Sequence, residues 1–152
     1  MISASEIKGQ PAFTFRINKL DDLESVVPLL DGIFPMHIKK EIQFIIRVII
    51  DEICVNFCKH SNCNEDPNIF QVVMIMFSNN NVLLSFKDNG PKFDITKAPS
   101  VEHTFDLPIT QRPIGKLGIH IVKHFADNIT YEYKNHTNEI TIMKKNYQPK
   151  IT

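Results

Sequence analysis

Residues 42–60 read IQFIIRVIIDEICVNFCKH and form most of the longest element predicted in the chain. Its apolar residues recur at steps of three and four, which is the period of an α-helix with one buried face. The repeat starts slightly upstream and comprises Ile38, Ile42, Ile45, Ile46, Ile49, Ile50 and Ile53. We therefore predict one long amphipathic helix that begins after Pro35 and ends near His60.

Two polar residues continue the apolar face of this helix. Ile45, Ile49, Glu52 and Asn56 follow one another at steps of four, three and four. Burying a carboxylate is costly, so a helix that turns one toward the core usually gives it a ligand, a metal or a proton to handle. The alternative is that the helix end projects from the core and that Glu52 is solvated, as charged residues commonly are. The helix alone leaves both interpretations open.

Shorter periodic segments surround the long helix. Alternating apolar and polar residues predict a strand over 12–17, followed by a helix that we expect Pro28 to bend or shorten. Further strands are predicted over 69–77, 82–86, 129–133 and 140–143, and a last helix over 115–126. The first of these strand pairs is joined by residues 78–81, whose asparagines we expect to supply positive φ, and the second by residues 135–138.

The order of these elements predicts the fold class. A strand, two helices, a strand pair, a loop, a helix and a second strand pair are typical of an α+β protein. We expect a two-layer sandwich, with the helices on one face of a mixed, mostly antiparallel sheet. Residues 88–113 show no period, and we interpret about 95–114 as a functional lid rather than filler.

Composition excludes several classes of protein. The 152 residues are 43% hydrophobic and 22% charged, which fits one globular domain. Basic and acidic residues number 17 each, so no net charge draws the chain to nucleic acid or to an anionic membrane. No apolar run approaches the ~20 residues of a membrane span, and the first ten residues lack a signal-peptide pattern. Three cysteines without Cys-x-x-Cys spacing predict free thiols in a cytoplasmic protein rather than a zinc site.

Two further motifs follow the predicted hairpin. Residues 88–94 read DNGPKFD, and an Asp at a strand end followed by Gly can present its carboxylate to a ligand beside a sharp turn. Residues 115–119 read GKLGI where a loop becomes a helix. Two glycines there allow backbone N–H groups to approach an anion at the positive end of the helix dipole. Each motif by itself is common in turns and at helix starts.

Taken together and in this order, the motifs are specific. The chain resembles the GHKL ATP-binding superfamily of gyrase, heat-shock chaperones, histidine kinases and mismatch-repair ATPases, and within it the anti-sigma-factor serine kinases. The first motif of that family is a Glu, an Asn four residues later and a His four residues after that. Glu52, Asn56 and His60 match it here.

The other two motifs extend the resemblance along the chain. The second motif, Asp-x-Gly-x-x-Phe-Asp, is matched by Asp88, Gly90, Phe93 and Asp94. The third is matched by residues 112–119, which read RPIGKLGI. The resemblance covers about residues 12–145 and implies that residues 1–152 form one domain of the GHKL or Bergerat type.

The resemblance implies a role for each matched residue. Glu52 would be the catalytic general base that takes a proton from a serine hydroxyl or from water. Asn56 would bind Mg²⁺, and Asp88 would accept a hydrogen bond from the adenine amino group with Gly90 beside the ring. The remaining nucleotide-binding residues would be Phe93, Arg112, Gly115, Lys116, Leu117 and Gly118. Because no Gly-Thr precedes the last strand, the adenine-side Thr of the superfamily is unassigned.

The function implied is that of an ATP- and Mg²⁺-dependent serine/threonine protein kinase. Its partners would be a small antagonist protein that carries a phospho-acceptor serine, a sigma factor, and a second copy of the chain in a homodimer. Two alternatives remain: a nucleotide-gated binding module that transfers phosphate slowly or never, and a regulatory ATPase. Retention of Glu52 favours the kinase, because a pure binding module needs no base.

Overall fold

The computed structural model describes residues 1–97 and 116–146. Within these residues the chain forms an α+β fold, which confirms the predicted class. The elements are β1 Ser3–Ile7, β2 Gln10–Ile17, α1 Leu20–Val26, α2 Lys40–His60, β3 Gln71–Phe77, β4 Asn81–Asp88, α3 Lys116–Phe125, β5 Asn128–Lys134 and β6 Thr137–Lys145. The long helix predicted from the isoleucine repeat is confirmed as α2. Of the predicted lid, residues 98–114 lie outside the described residues.

The six strands form one sheet in the order β1-β2-β3-β4-β6-β5. Every neighbouring pair is antiparallel, so the prediction of a mixed sheet is wrong for the described strands. Three of the pairs are hairpins. The crossover through α3 gives β5 the same direction as β4, but β6 lies between them and no parallel pair results. This order places the start of β6 beside the end of β4.

The buried core lies between α2 and the central strands. Alternate residues of β3 and β4 are buried, as expected because successive side chains of a strand point to opposite faces. They form one cluster with the helix face, and its members from β3, β4 and α2 include Val73, Ile75, Phe77, Val82, Leu84, Phe86, Ile42, Ile46, Ile49, Ile50 and Ile53. Glu52 and Asn56 are half-buried at the border of this face. The two polar residues therefore lie at the edge of the core rather than inside it.

The segment before α2 follows its proline. α1 ends at Val26, and a 3-10 helix over Val27–Gly32 continues it with Pro28 in its first turn. This confirms that the helix is shortened at its proline. Arg47 of α2 forms an ion pair with Asp31 of the 3-10 helix. Across the residues that the structure describes, no helix has the length and apolar character needed to cross a membrane.

The first predicted hairpin closes by a different mechanism from the expected one. Asn79 and Asn80 do not have positive φ. Instead, Ser78 Oγ accepts a hydrogen bond of 3.0 Å from the backbone N–H of Asn81. A side-chain hydroxyl thus replaces the left-handed backbone conformation, as Ser does in other turns. In addition, β1 was not predicted, because its residues are almost all exposed and carry no apolar alternation.

The turn of the last hairpin is shorter than predicted. Asn135 and His136 have φ of 52° and 58°, which is the left-handed pair typical of a two-residue hairpin turn. The turn therefore ends at His136, and β6 begins at Thr137. Asn138, which the prediction placed in the turn, is instead a buried residue of the strand beside Asp88.

Candidate functional site

A cavity of about 290 Å³ opens between the C-terminal half of α2 and the adjoining ends of three strands. We call it the central cavity. Its polar lining comes from Asn56 and His60 on α2, Gln71 of β3, Asp88 of β4 and Asn138 of β6, among others. Ile53, Phe57, Ile95 and Ile140 supply apolar walls. Apolar walls with a few converging polar groups are typical of a small-molecule site.

Asp88 is the acidic group of the central cavity. Its Oδ1 accepts a hydrogen bond of 2.9 Å from the N–H of Gly90 and one of 3.0 Å from Asn138 Nδ2. Within the described part of the chain, Oδ2 has no such donor. Burial raises the pKa of Asp88, and the two hydrogen bonds partly offset this increase. Asp88 therefore offers one oriented oxygen to a ligand that carries a hydrogen-bond donor.

Asn138 ties the loop after β4 to the sheet. It is 2% exposed, and β6 places it directly opposite Asp88. Besides its bond to Asp88, its Nδ2 donates to the carbonyl of Pro91 at 2.9 Å and to that of Gly90 at 3.3 Å. Its Oδ1 accepts from the N–H of Phe93 at 3.0 Å. One side chain thus orders both the carboxylate and the loop beside it.

Gly90 lies where the end of α2 and the loop after β4 approach each other closely. A Cβ atom at residue 90 would lie 3.0 Å from Cβ of Ser61 and 3.1 Å from Oδ1 of Asp88. Both distances are shorter than ordinary van der Waals contacts. A larger residue would therefore push the carboxylate or the end of α2 away from its present position.

Two aromatic rings stand side by side at the central cavity. His60 and Phe93 stack with their centroids 5.9 Å apart and their planes 19° from parallel. Phe93 is 44% exposed, so part of its ring is open to solvent beside the cavity. Asp94, the last residue of this motif, accepts hydrogen bonds from the backbone and hydroxyl of Thr96 and so orders the next turn.

Glu52 lies in a smaller cleft next to the central cavity. This Glu52 cleft is lined by Glu52, Val55, Asn56, Lys59 and Ile119. Burial is the main cause that raises the pKa of Glu52, and the neighbouring charge of Asp51 adds to it. The charge of Lys59 acts in the opposite direction. A carboxylate with a raised pKa is suited to accept a proton near neutral pH.

Gly118 brings α3 against Glu52. A Cβ atom at residue 118 would overlap the Glu52 carboxylate, because Cδ of Glu52 lies 2.9 Å from its position. Only glycine therefore permits the first turn of α3 to approach the acid so closely. This contact gives the second glycine of the GKLGI motif a packing role next to the acid.

Asn56 connects the two spaces, since it lines both the central cavity and the Glu52 cleft. Its amide oxygen and the nearby carboxylate are hard oxygen ligands of the kind that Mg²⁺ accepts. In residues 1–97 and 116–146 no group of three or more His, Cys, Asp or Glu residues could hold a metal ion. Asn56 and Glu52 offer two oxygen donors in one cleft, which fits a magnesium ion that takes most of its ligands from phosphates and water.

The structure brings five of the predicted site residues into one region: Glu52, Asn56, Asp88, Gly90 and Phe93. Gly118 joins them through Glu52, and Lys116 and Leu117 open α3. Arg112 and Gly115 lie outside the described residues, so their predicted roles stay predictions. The three cysteines are free, as predicted, and the structure shows that all three are buried.

Sequence reasoning missed three polar residues of the site. Lys59 follows Asn56 by three residues on α2, and this spacing predicts that the two side chains lie on the same face of the helix. Gln71 and Asn138 carried no signal of their own. They flank Asp88 because of strand register, which is a property of the folded sheet.

The sequence was compared with known proteins. Residues 34–144, which are more than half of the chain, match the family of the histidine kinase-like ATPase domain. No curated protein matched the chain. The matched range includes α2, the central cavity and the Glu52 cleft, and the superfamily predicted from the three motifs is thereby confirmed. The chain belongs to the histidine kinase-like ATPase domain family.

Proposed function

We propose that this domain is a protein serine/threonine kinase that binds ATP in the central cavity and transfers its γ-phosphoryl group in the Glu52 cleft. The observation that carries the proposal is the position of Asn56. It lines both spaces, so a nucleotide whose base lies against Asp88 can extend its phosphates past Asn56 toward Glu52.

The central cavity suits adenine by shape and by hydrogen bonding. Oδ2 of Asp88 is the acceptor for the exocyclic amino group, while Oδ1 is held by Gly90 and Asn138. Ile53, Phe57 and Ile140 supply apolar surface for the ring faces. Phe93 and His60 border the same cavity and cover the part of the nucleotide nearest to the loop.

Glu52 is the general base of the proposed transfer. It takes the proton from the hydroxyl of the acceptor serine as the serine oxygen forms a bond to the γ-phosphorus. The bond between that phosphorus and the bridging oxygen breaks, and ADP leaves with the electron pair. Lys59 faces the same cleft and neutralises part of the charge on the phosphates. Bound at Asn56, Mg²⁺ would supply further charge neutralisation on the phosphate oxygens.

The acceptor proposed is a serine of a small antagonist protein, and the further partners are a sigma factor and a second copy of the chain. This part of the proposal is supported by the resemblance of the three motifs to those of anti-sigma-factor kinases. Half-burial of Glu52 supports a catalytic use, because a solvated glutamate would retain its ordinary pKa.

A second candidate function is a nucleotide-gated binding module. The observation that favours it is the contact of Glu52 with Gly118, because a carboxylate packed against α3 is not free to reach a serine hydroxyl. In such a module, nucleotide binding would change the position of α3 and thereby the surface offered to a partner. Phosphoryl transfer would be slow or absent.

The test separates binding from transfer. Calorimetry with ATP, with and without Mg²⁺, is done on the wild type, on Asp88→Asn and on Glu52→Gln. Transfer is then followed with γ-labelled ATP to a panel of small serine-bearing proteins and to water. Glu41→Gln is the matched control, since Glu41 is an exposed glutamate in the first turn of the same helix.

We expect Asp88→Asn to lose ATP binding, because its amide nitrogen is a donor where the adenine amino group needs an acceptor. We expect Glu52→Gln to bind ATP like the wild type and to lose transfer, and Glu41→Gln to change neither. Transfer that survives Glu52→Gln contradicts the proposed base. ATP binding by the wild type without any transfer favours the binding module.

A further inference from the structure

One polar atom in the core has no partner. Among the buried side-chain nitrogen and oxygen atoms of the described residues, only Oε1 of Gln71 lacks a hydrogen bond. Gln71 is 1% exposed and lines the central cavity. Gln43, the other buried glutamine, differs in this respect, since its Nε2 donates to the carbonyl of Ile38 at 2.9 Å.

An unsatisfied buried acceptor is destabilising, and nearly all buried polar groups in proteins have a partner. The neighbours of Gln71 on the same strand face are Val73 and Ile75, so an apolar residue would suit the fold better at this position. The side chain that carries this unpartnered oxygen instead lines the central cavity. Its missing partner is therefore expected to be a donor that the occupant of the cavity brings.

Strand register places Gln71 next to the acceptor already described. Gln71 is directly opposite Asp88 in the β3–β4 pair, and Asp88 is directly opposite Asn138 in the β4–β6 pair. Directly opposed residues of antiparallel strands have neighbouring side chains on the same face. The three residues thus form a row across the sheet, in which Asn138 holds Oδ1 of Asp88 from one side and Gln71 lies on the other side.

We propose that Gln71 is a base-recognition residue, and that Oε1 of Gln71 and Oδ2 of Asp88 each accept one hydrogen of the exocyclic 6-amino group of a purine nucleotide. The proposal rests on the proposed nucleotide site. This pair of acceptors selects adenine, because the 6-amino group of adenine carries two hydrogens. A purine with a carbonyl group there places an acceptor against two acceptors and is rejected.

The test uses analogues that differ only at this group. Calorimetry with Mg²⁺ compares ATP with purine riboside triphosphate, which lacks the amino group, on the wild type and on Gln71→Met. Met is similar in length and has no strong acceptor. Gln43→Met is the matched control, because it removes a buried amide that lies outside the central cavity.

We expect Gln71→Met to weaken ATP binding about tenfold, which corresponds to one hydrogen bond of about 1.4 kcal/mol. Its affinity for purine riboside triphosphate should stay within about twofold of the wild-type value, because that analogue never made the bond. Gln43→Met should leave the ratio of the two affinities unchanged. A Gln71→Met variant that loses affinity equally for both nucleotides, or for neither, overturns the proposal.

A measurement on the wild type alone guards against a variant that does not fold. N6-methyl-ATP retains one amino hydrogen, so it should bind about tenfold more weakly than ATP if two acceptors are used. Equal binding of the two nucleotides overturns the proposal. If ATP binds and Asp88→Asn abolishes binding while Gln71→Met changes nothing, only the role of Gln71 fails. If the wild type binds no nucleotide, the proposed function fails with it.

Discussion

Replacing Asn138 with alanine should destabilise the protein more than its small size suggests. The side chain is 2% exposed and joins β6 to Asp88, to the carbonyl of Pro91 and to the N–H of Phe93. The bond to the carboxylate is charge-assisted and contributes about 1.5–3 kcal/mol, and each neutral bond contributes about 1 kcal/mol. Because water can reach part of the loop, we expect a total loss of about 3–4 kcal/mol in the free energy of unfolding.

The same change should also weaken nucleotide binding. Without Asn138 the carboxylate of Asp88 loses one of the two hydrogen bonds that orient it and that hold its pKa down. We therefore expect the pKa of Asp88 to rise further and ATP affinity to fall, while the deletion leaves Glu52 untouched. Oδ2 of Asp88, the proposed acceptor for the adenine amino group, would no longer be held in one orientation.

Urea unfolding of the wild type and of Asn138→Ala measures the loss, and calorimetry with ATP measures the binding. Asn128→Ala is the matched control, because Asn128 is an exposed asparagine of the adjacent edge strand and should change stability by no more than about 0.5 kcal/mol. A loss below about 1 kcal/mol for Asn138→Ala would refute the reasoning, since it would mean that the hydrogen bonds of this side chain are replaced by water at little cost.

Three further predictions concern the acid and the thiols. Gly118→Ala should displace the Glu52 carboxylate from α3, so the rate of phosphoryl transfer should change strongly. The free energy of unfolding in urea should change by no more than about 1 kcal/mol, because the higher helix propensity of Ala offsets the lost contact. An unchanged transfer rate would contradict the contact. Asp51→Asn removes a charge that raises the pKa of Glu52, so the acidic limb of the rate profile should move to lower pH, and a move to higher pH would be inconsistent with this cause. Burial raises the pKa of Cys58 to about 12, and native protein should therefore react with a thiol reagent far more slowly than urea-unfolded protein at pH 8.

The family membership and the geometry of the site bear on different steps. The family match covers α2 and the central cavity, which are the parts in which we propose that the nucleotide binds. The position of Glu52 bears on the proposed phosphoryl transfer. A kinase needs the Glu52 carboxylate free to reach a serine hydroxyl, whereas a binding module can keep it packed against Gly118. Measurements on Glu52 and Gly118 therefore decide between the two candidate functions, whereas measurements on Asp88 test nucleotide binding itself.

Local sequence was sufficient for the elements whose periods are regular. The isoleucine repeat predicted α2 because helical spacing is a property of consecutive residues, and the placement of Glu52 and Asn56 one turn apart followed from the same spacing. The DNGPKFD motif was found for a similar reason, since its turn is built within seven neighbouring residues. The odd number of cysteines was the basis for predicting free thiols.

The partners of Asp88 were decided by tertiary structure. Asn138 reaches it because the last hairpin turns at Asn135 and His136, and a turn longer by one residue would have directed the opposite set of β6 side chains toward the cavity. Gln71 lies beside Asp88 because of the register between β3 and β4. That register is a property of the paired strands and not of the residues around Gln71. The period and spacing of residues in the sequence determine which face of a helix or strand is buried. Strand register and the packing of α3 on α2 determine which polar groups of the site lie next to each other. The sequence pattern does not predict these contacts, because they join residues that are far apart in the chain.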